Sequence, residues 1–565
     1  MRRLLLMGAA LVALAGCSGG GGSGPQDKWS VFRDHAIEGW FQVDPQFAVY
    51  QGRHDFDGKL PDFTEVGLKT RATFLHNLVT KAKAFNGLSA DDAFERDYLV
   101  KVAEGQLFWL EEADQPHNNP AFYLGSLDPN TYLTREYAAP EVRAKALTAF
   151  FRAVPQAAAA IRANLKSPLP ASFIKRGTIG FDGYADFYKG DAVKVFAGVK
   201  DEALQKDLRA AADAAAKAMA DLSAWLKSQE KTATQGFALG PAKFSRMLLA
   251  TEGVDTPLDQ LEAVGKADLK RNQDALAAEC AKFARGKTIV QCTDQVNALK
   301  PKGGPVAAAT QQIPELRDFV TKHDLVSIPG TEQALVRESP PFNWSNGAYI
   351  DPPGPFDKGI PSIYYIAPPD PSWDAAKQLA YIPSEPSLLF TTVHEVMPGH
   401  FLQFLHSNRS KFPIGRIFVG YAYAEGWAHY SEEMMWEAGL DAGNPAMHIG
   451  QISEALLRDC RFLSAIGLHT QGMTLEQSVK MFREQCYQDE GNAEQQAGRG
   501  TYDPAYLNYT MGKLMIRKLR EDWTAQHGGR QGWKAFHDQF LSYGGPPIPL
   551  VRQQMMREAT PKAVF

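Results

Sequence analysis

No stretch beyond the first seventeen residues is long and apolar enough to cross a bilayer as a helix. The chain lacks any block of like charge: 60 basic against 64 acidic residues leave a net charge of -4, which gives no reason to expect nucleic acid as a partner. It has no Gly-x-Ser-x-Gly elbow, so a serine hydrolase is poorly supported. No internal repeat is visible, which argues against a solenoid. Cysteine is scarce, with five in 565 residues, and the spacings match no zinc-finger cluster. What remains is an ordinary globular balance, 44% hydrophobic and 22% charged, long enough for one very large domain or two lobes.

The amino terminus reads as an export signal. Met1-Arg2-Arg3 is basic, Leu4 to Ala13 is apolar, and Leu14-Ala15-Gly16-Cys17 resembles a bacterial lipobox. Cleavage before Cys17 would leave a lipidated cysteine, a membrane anchor for the mature chain. Residues 18–27 read as a Gly/Ser-rich tether. Ser18 after the cysteine resembles the pattern of outer-membrane lipoproteins, so the expected place is the bacterial cell envelope, at the periplasmic face of the outer membrane. Four cysteines then remain in an exported chain, which suggests disulfides. Cys280–Cys292 is the local pairing and leaves Cys460–Cys486.

The coarse reading is mainly α. Helices are expected over 27–43, with Asp27 as cap, and over 62–85, 89–113, 140–165, 202–228, 256–285 and 314–326. In the 202–228 segment Leu204, Leu208, Ala211, Ala215, Met219, Leu222 and Leu226 form one apolar stripe, which predicts core packing. Residues 342–366 break the pattern. Gly347-Ala348-Tyr349-Ile350 and Ser362-Ile363-Tyr364-Tyr365-Ile366, parted by a Pro/Gly-rich stretch, predict a hairpin or small sheet, with Tyr364 as a candidate substrate contact. The expected organisation is a single domain over 28–565, with an amino-terminal helical lobe over 28–340 and a catalytic lobe over 341–565.

Chemistry concentrates in the run from Thr391 to His400. His394-Glu395 followed by His400 has the makings of a metal hydrolase: two imidazoles hold a cation, and the adjacent carboxylate takes a proton from water. The spacing is unusual. Six helical residues turn roughly 600°, which would point His400 about 120° away from His394 on a regular helix. Pro398-Gly399 predicts a bulge or kink that restores the approach. A third ligand is expected from a second helix over 423–437. Glu425, His429 and Glu432 share a face there, and a buried carboxylate is costly unless paired or bound to metal. Glu425 is the expected third ligand, and Glu432 is expected to orient a ligand histidine. His429 is either a similar support, a rival ligand, or a partly exposed helix histidine, the last slightly favoured.

His394-Glu395-x-x-Pro398-Gly399-His400-x-x-Gln403, with Glu425-Gly426-Trp427-Ala428-x-Tyr430-x-Glu432, resembles the bacterial family called domain of unknown function 885. Gly52-x-His54 and Tyr506-Leu507-Asn508-Tyr509-Thr510-Met511-Gly512-Lys513 extend the likeness over most of the mature chain. The order His-Glu, His, Glu is also similar to the gluzincins. The resemblance implies a large two-lobed helical zinc-peptidase-like fold with a small sheet beside the active-site helix, one zinc ion, and a peptide substrate. An edge strand in that position pairs with extended substrate backbone in related peptidases. The longer histidine spacing departs from the usual gluzincin pattern.

The expected mechanism uses His394, His400 and Glu425 as ligands and Glu395 as base. A tyrosine or lysine beside the metal would hold the oxyanion; Tyr509 is the first candidate, Tyr502 the second, and Lys513 shares the Tyr506–Tyr509 face. Arg499 is a candidate for binding a substrate carboxylate. Two rival functions share these residues: a zinc amidase acting on a non-peptide or cell-wall substrate, and a non-catalytic peptide-binding lipoprotein. Two imidazoles and a carboxylate also suit other divalent transition metals.

Overall fold

The computed structural model describes residues 25–340 and 347–565. The lipobox with Cys17, the tether up to residue 24, and residues 341–346 lie outside the described residues. The first helix, Pro25–Val43, begins two residues before its expected cap Asp27 and takes in the end of the expected tether. The structure is mainly helical, 69% helix, with one three-stranded sheet among the described residues.

Local chemistry accounts for most of the helix starts. Thr64 and Ser89 accept backbone N–H bonds from Gly67 and Asp92, and Asp201 accepts one from Leu204, each capping the helix that follows. The long helix Glu202–Gln229 buries all seven residues of its apolar stripe, packing between Pro140–Asn164 and Ala171–Lys189. One expected start was wrong. The 314–326 segment belongs to a longer helix, Pro305–Lys322, with Pro305 in its first turn and Pro314 inside. Ala309, Leu316 and Val320 are buried along one side, and that continuous packing outweighs the bond lost at Pro314.

Two hydrophobic cores result. The first gathers residues from Trp29 to Leu226, joined by Phe412, Ile414, Ile417, Phe418 and Leu550. The second gathers residues from Phe244 to Met555, joined by Phe108 and Ala113. The boundary between the two cores falls between 226 and 244, and from Phe244 onward the core residues join Val393, Phe401 and Trp427. Disulfides Cys280–Cys292 and Cys460–Cys486 both lie in the second core.

The sheet has the order β1 (Ala334–Glu338), β3 (Ser362–Ile366), β2 (Ala348–Asp351). β2 and β3 pair antiparallel with Ile350 opposite Tyr364, while β1 pairs parallel to β3. β3 is thus central and buried at every position, and β2 is an edge. The first core braces that edge: Arg135 pairs with Asp351 at 2.8 Å and with Asp357 at 3.2 Å, and His54 meets Asp357 at 3.1 Å.

Behind the metal-site helices sits His537, fully buried, its Nδ1 2.6 Å from the Leu325 carbonyl and its Nε2 2.7 Å from the Tyr430 hydroxyl. Burial pulls its pKa down to about 3, so the folded ring stays neutral where the unfolded ring takes a proton. The unfolded chain then binds more protons at every pH between about 3 and 6.5, and stability falls as pH drops below 6.5. By pH 5 this one residue is expected to cost about 2 kcal/mol. Urea midpoints of wild type and His537→Gln at pH 7 and pH 5 check it. The variant should lose less on acidification; an equal loss in both would contradict the assignment.

Candidate metal centre

The helix Glu385–Glu395 carries His394 and Glu395 on its last turn. It does not bulge. It ends, and a second helix, His400–Ser407, begins at the other histidine. Pro398 and Gly399 lie in the break. Gly399 has φ -73°, an ordinary value, so left-handed backbone is not why glycine stands there. The reason is space: a Cβ at this position would lie 1.8 Å from the His394 carbonyl oxygen. Trp427 Nε1 donates to the Pro398 carbonyl at 2.8 Å, tying the break to the facing helix.

That facing helix, Tyr421–Glu437, presents Glu425. His394 Nε2 and His400 Nε2 lie 3.3 Å and 3.4 Å from Glu425 Oε2, and the three atoms fall within 4.8 Å of one another. The Glu425 oxygen is buried and has no hydrogen-bond partner among the described residues. A buried carboxylate oxygen without a hydrogen bond, facing two imidazole nitrogens, fits a shared cation. The two imidazole planes stand at 89° with centres 4.8 Å apart, so neither ring blocks the other.

Support comes from behind. Glu432, fully buried, sits 2.6 Å from His394 Nδ1, 3.2 Å from His429 Nδ1 and 3.4 Å from Arg458. Burial works to raise the Glu432 pKa, but the Arg458 charge, with the hydrogen bonds from His394 and His429, outweighs it and holds the carboxylate ionised. With Nε2 turned to the cluster, His394 Nδ1 carries the proton and donates to Glu432, the usual support of a metal-ligating histidine. His429 is fully buried, not partly exposed, because the helix is covered on this side by the helix Asn508–Thr524 and Glu432 turns inward with it. Burial lowers its pKa to about 4, which keeps it neutral.

Glu395 is buried, and its Oε2 accepts the backbone N–H of Ile350 from β2 at 3.1 Å. Burial raises its pKa, with His394 and His400 opposing, which is the direction that suits a proton acceptor. Tyr509 stacks on His394 with ring centres 6.4 Å apart, and its phenol is pushed up by burial and then by Glu425, so it stays protonated. Its helix approaches the glutamate helix through a glycine pair: a Cβ on Gly512 would lie 2.0 Å from the Ala422 carbonyl, and one on Gly426 2.5 Å from Gly512 Cα.

Tyr502 and Lys513 meet other partners. Tyr502 lies under the Arg176 guanidinium at 5.5 Å, and no described contact joins it to the metal ligands, because a short turn over Pro504–Leu507 separates its helix from that of Tyr509. Lys513 is buried against Asp268 and Glu433, neutralised away from the cluster. Tyr364 is fully buried on the central strand, opposite Ile350, whose N–H meets Glu395. Arg499 pairs with Asp503 at 2.9 Å and with the Tyr421 hydroxyl at 2.8 Å. Arg458 was not foreseen. Its signal is the group Glu454, Arg458, Asp459 and Arg461 within a helix, Pro445–Thr470, that is otherwise largely apolar.

A cavity of about 1310 Å³ bordered by Ser384, Ser387 and Glu454 includes none of the three candidate ligands. Arg458, which pairs with Glu454 at the cavity's border, also reaches Glu432 behind the candidate ligands.

The family described as "Bacterial protein of unknown function (DUF885)" matches residues 45–555. A comparison with curated proteins gives no match. Two solved structures are similar over nearly their whole length. One, titled as a "putative lipoprotein of unknown function" from Shewanella oneidensis, shares 25% identity with a TM-score of 0.77, over 94% of this chain and 99% of its own. The other, titled as the "putative lipoprotein" from Colwellia psychrerythraea, shares 16% identity with a TM-score of 0.79, over 95% of this chain and 99% of its own. The second likeness shows the fold alone.

Proposed function

We propose that this chain, which belongs to the bacterial family of unknown function DUF885, is a zinc-dependent hydrolase of peptide bonds. The observation that carries the reading is the convergence of His394 Nε2, His400 Nε2 and Glu425 Oε2 within 4.8 Å, with Glu395 beside them. When bound, zinc would supply an acidified water and a polarising charge for the carbonyl under attack.

The chain's own groups do the rest. Glu395 accepts the proton of the attacking water and passes it to the leaving amine. The Ile350 N–H fixes one of its two oxygens and leaves the other for that proton. Glu432 keeps His394 oriented, and Arg458 keeps Glu432 ionised. The stacking of Tyr509 on His394 supports its hydroxyl as the donor that holds the developing oxyanion.

Peptide is favoured over a compact amide by β2. Its partner β3 lies on one side only, and Ile350 turns its N–H away from β3 toward Glu395. An outer strand edge running beside the base suits an extended backbone, held by strand addition. Lipid anchoring at Cys17 in the cell envelope is the accompanying reading, supported by Leu14-Ala15-Gly16-Cys17 and by the titles of the two solved relatives.

The test is a mixed-sequence library of short peptides read by mass spectrometry. Cleavage is expected, abolished by 1,10-phenanthroline and restored by added zinc. Cleavage that survives full metal removal would overturn the reading.

A further inference from the structure

Arg461 is a buried cation without an anion. It lies on the helix Pro445–Thr470, three residues after Arg458, and is 8% exposed. Its Nε donates to Gln496 Oε1 at 2.8 Å. Among the described residues no carboxylate comes within the 4.0 Å of an ion pair. The cations around it are each compensated: Arg458 by Glu432 and Glu454, Arg499 by Asp503. Arg499 and Arg458 repel it, and burial together with that repulsion pulls its pKa below the ordinary arginine value. Holding such a charge inside a protein is costly unless an anion joins it.

Its place says which anion. The Arg461 guanidinium carbon stands 4.9 Å from the centre of the Tyr509 ring, and that ring lies 6.4 Å from His394. The guanidinium carbon is therefore no more than about 11 Å from the His394 imidazole. A guanidinium–carboxylate contact takes about 4 Å of that span and leaves at most about 7 Å, room for no more than two residues of extended chain. Tyr509 also meets Arg458 and Arg499 through its ring.

We propose that Arg461 anchors the substrate's terminal carboxylate, so that the protein takes peptides by a free carboxyl end and releases one or two residues. This rests on the peptide-hydrolase reading and adds the substrate class. Arg461 is a specificity residue, since it meets the substrate away from the reacting carbonyl.

The experiment is calorimetric titration of the zinc-loaded Glu395→Gln protein with tetra-alanine, with its carboxyl-terminal amide, and with Ala-Ala-Ala-Glu amide. The acid is expected to bind at least tenfold more tightly than either amide. Arg461→Gln should bind all three with the weak affinity of the amides, and Arg461→Lys should keep part of the preference. Equal binding of acid and amide by the protein with Arg461 intact would overturn the anchor even if the variant failed to fold. Recovery by the glutamate amide would overturn the terminal-carboxylate source in favour of an acidic side chain. Product masses from wild type separate the two readings. No cleavage of any peptide would sink the hydrolase, while the titration still reads Arg461. Cleavage of amidated peptides at internal bonds, as fast as of free acids, would leave the hydrolase standing and remove the anchor.

Discussion

Glutamine in place of Glu395 is expected to leave metal content unchanged and to lower kcat/KM by roughly 10²–10⁴. The side chain is nearly the same size, and its amide oxygen can still accept the Ile350 N–H that Glu395 accepts at 3.1 Å. None of the three candidate ligand atoms belongs to it. What disappears is the basic oxygen, and with it the group that moves the proton from water to the leaving amine. Because the site is buried, bulk water cannot readily replace that base. Metal analysis beside peptide turnover gives both halves of the result. Turnover at the wild-type rate would remove Glu395 from the mechanism.

Glutamine in place of Glu432 is expected to weaken zinc binding 10–100-fold while leaving all three ligands present. Glu432 is fully buried and serves His394, His429 and Arg458 together. The amide keeps the volume but loses the charge that holds the His394 proton on Nδ1 and compensates Arg458. Alanine goes further: it leaves Arg458 with Glu454 alone, and breaking a buried pair of this kind costs about 3–5 kcal/mol. A competition titration with a zinc-chelating dye, alongside urea midpoints, separates affinity from stability. Unchanged zinc affinity in Glu432→Gln would show that His394 does not depend on this support.

The cluster of His394, His400 and Glu425 was legible because it combines two local signals. His394-Glu395 and His400 stand in one short run, and Glu425 and Glu432 sit two turns apart on one face of a helix rich in apolar residues. That His400 needed a break at Pro398-Gly399 followed from helix geometry alone. That the break is the end of one helix and the start of another did not, because Gly399 is required by the His394 carbonyl, a contact the sequence does not display. β1 was missed for a related reason: its residues are mostly exposed, and it exists only by pairing with β3, some thirty residues on. The brace of Arg135 to Asp351 and the isolation of Arg461 are likewise long-range facts. Arginine at 458, 461 and 499 looks alike in sequence; only packing shows which has an acid beside it.

The most direct test of the metal centre is the zinc content of the protein lacking residues 1–17, measured beside His394→Ala and Glu425→Ala. About one zinc per chain in the parent protein, lost in both variants, is the expected result. A parent protein that holds no zinc and takes up none when reloaded, with both variants indistinguishable from it, would contradict the account.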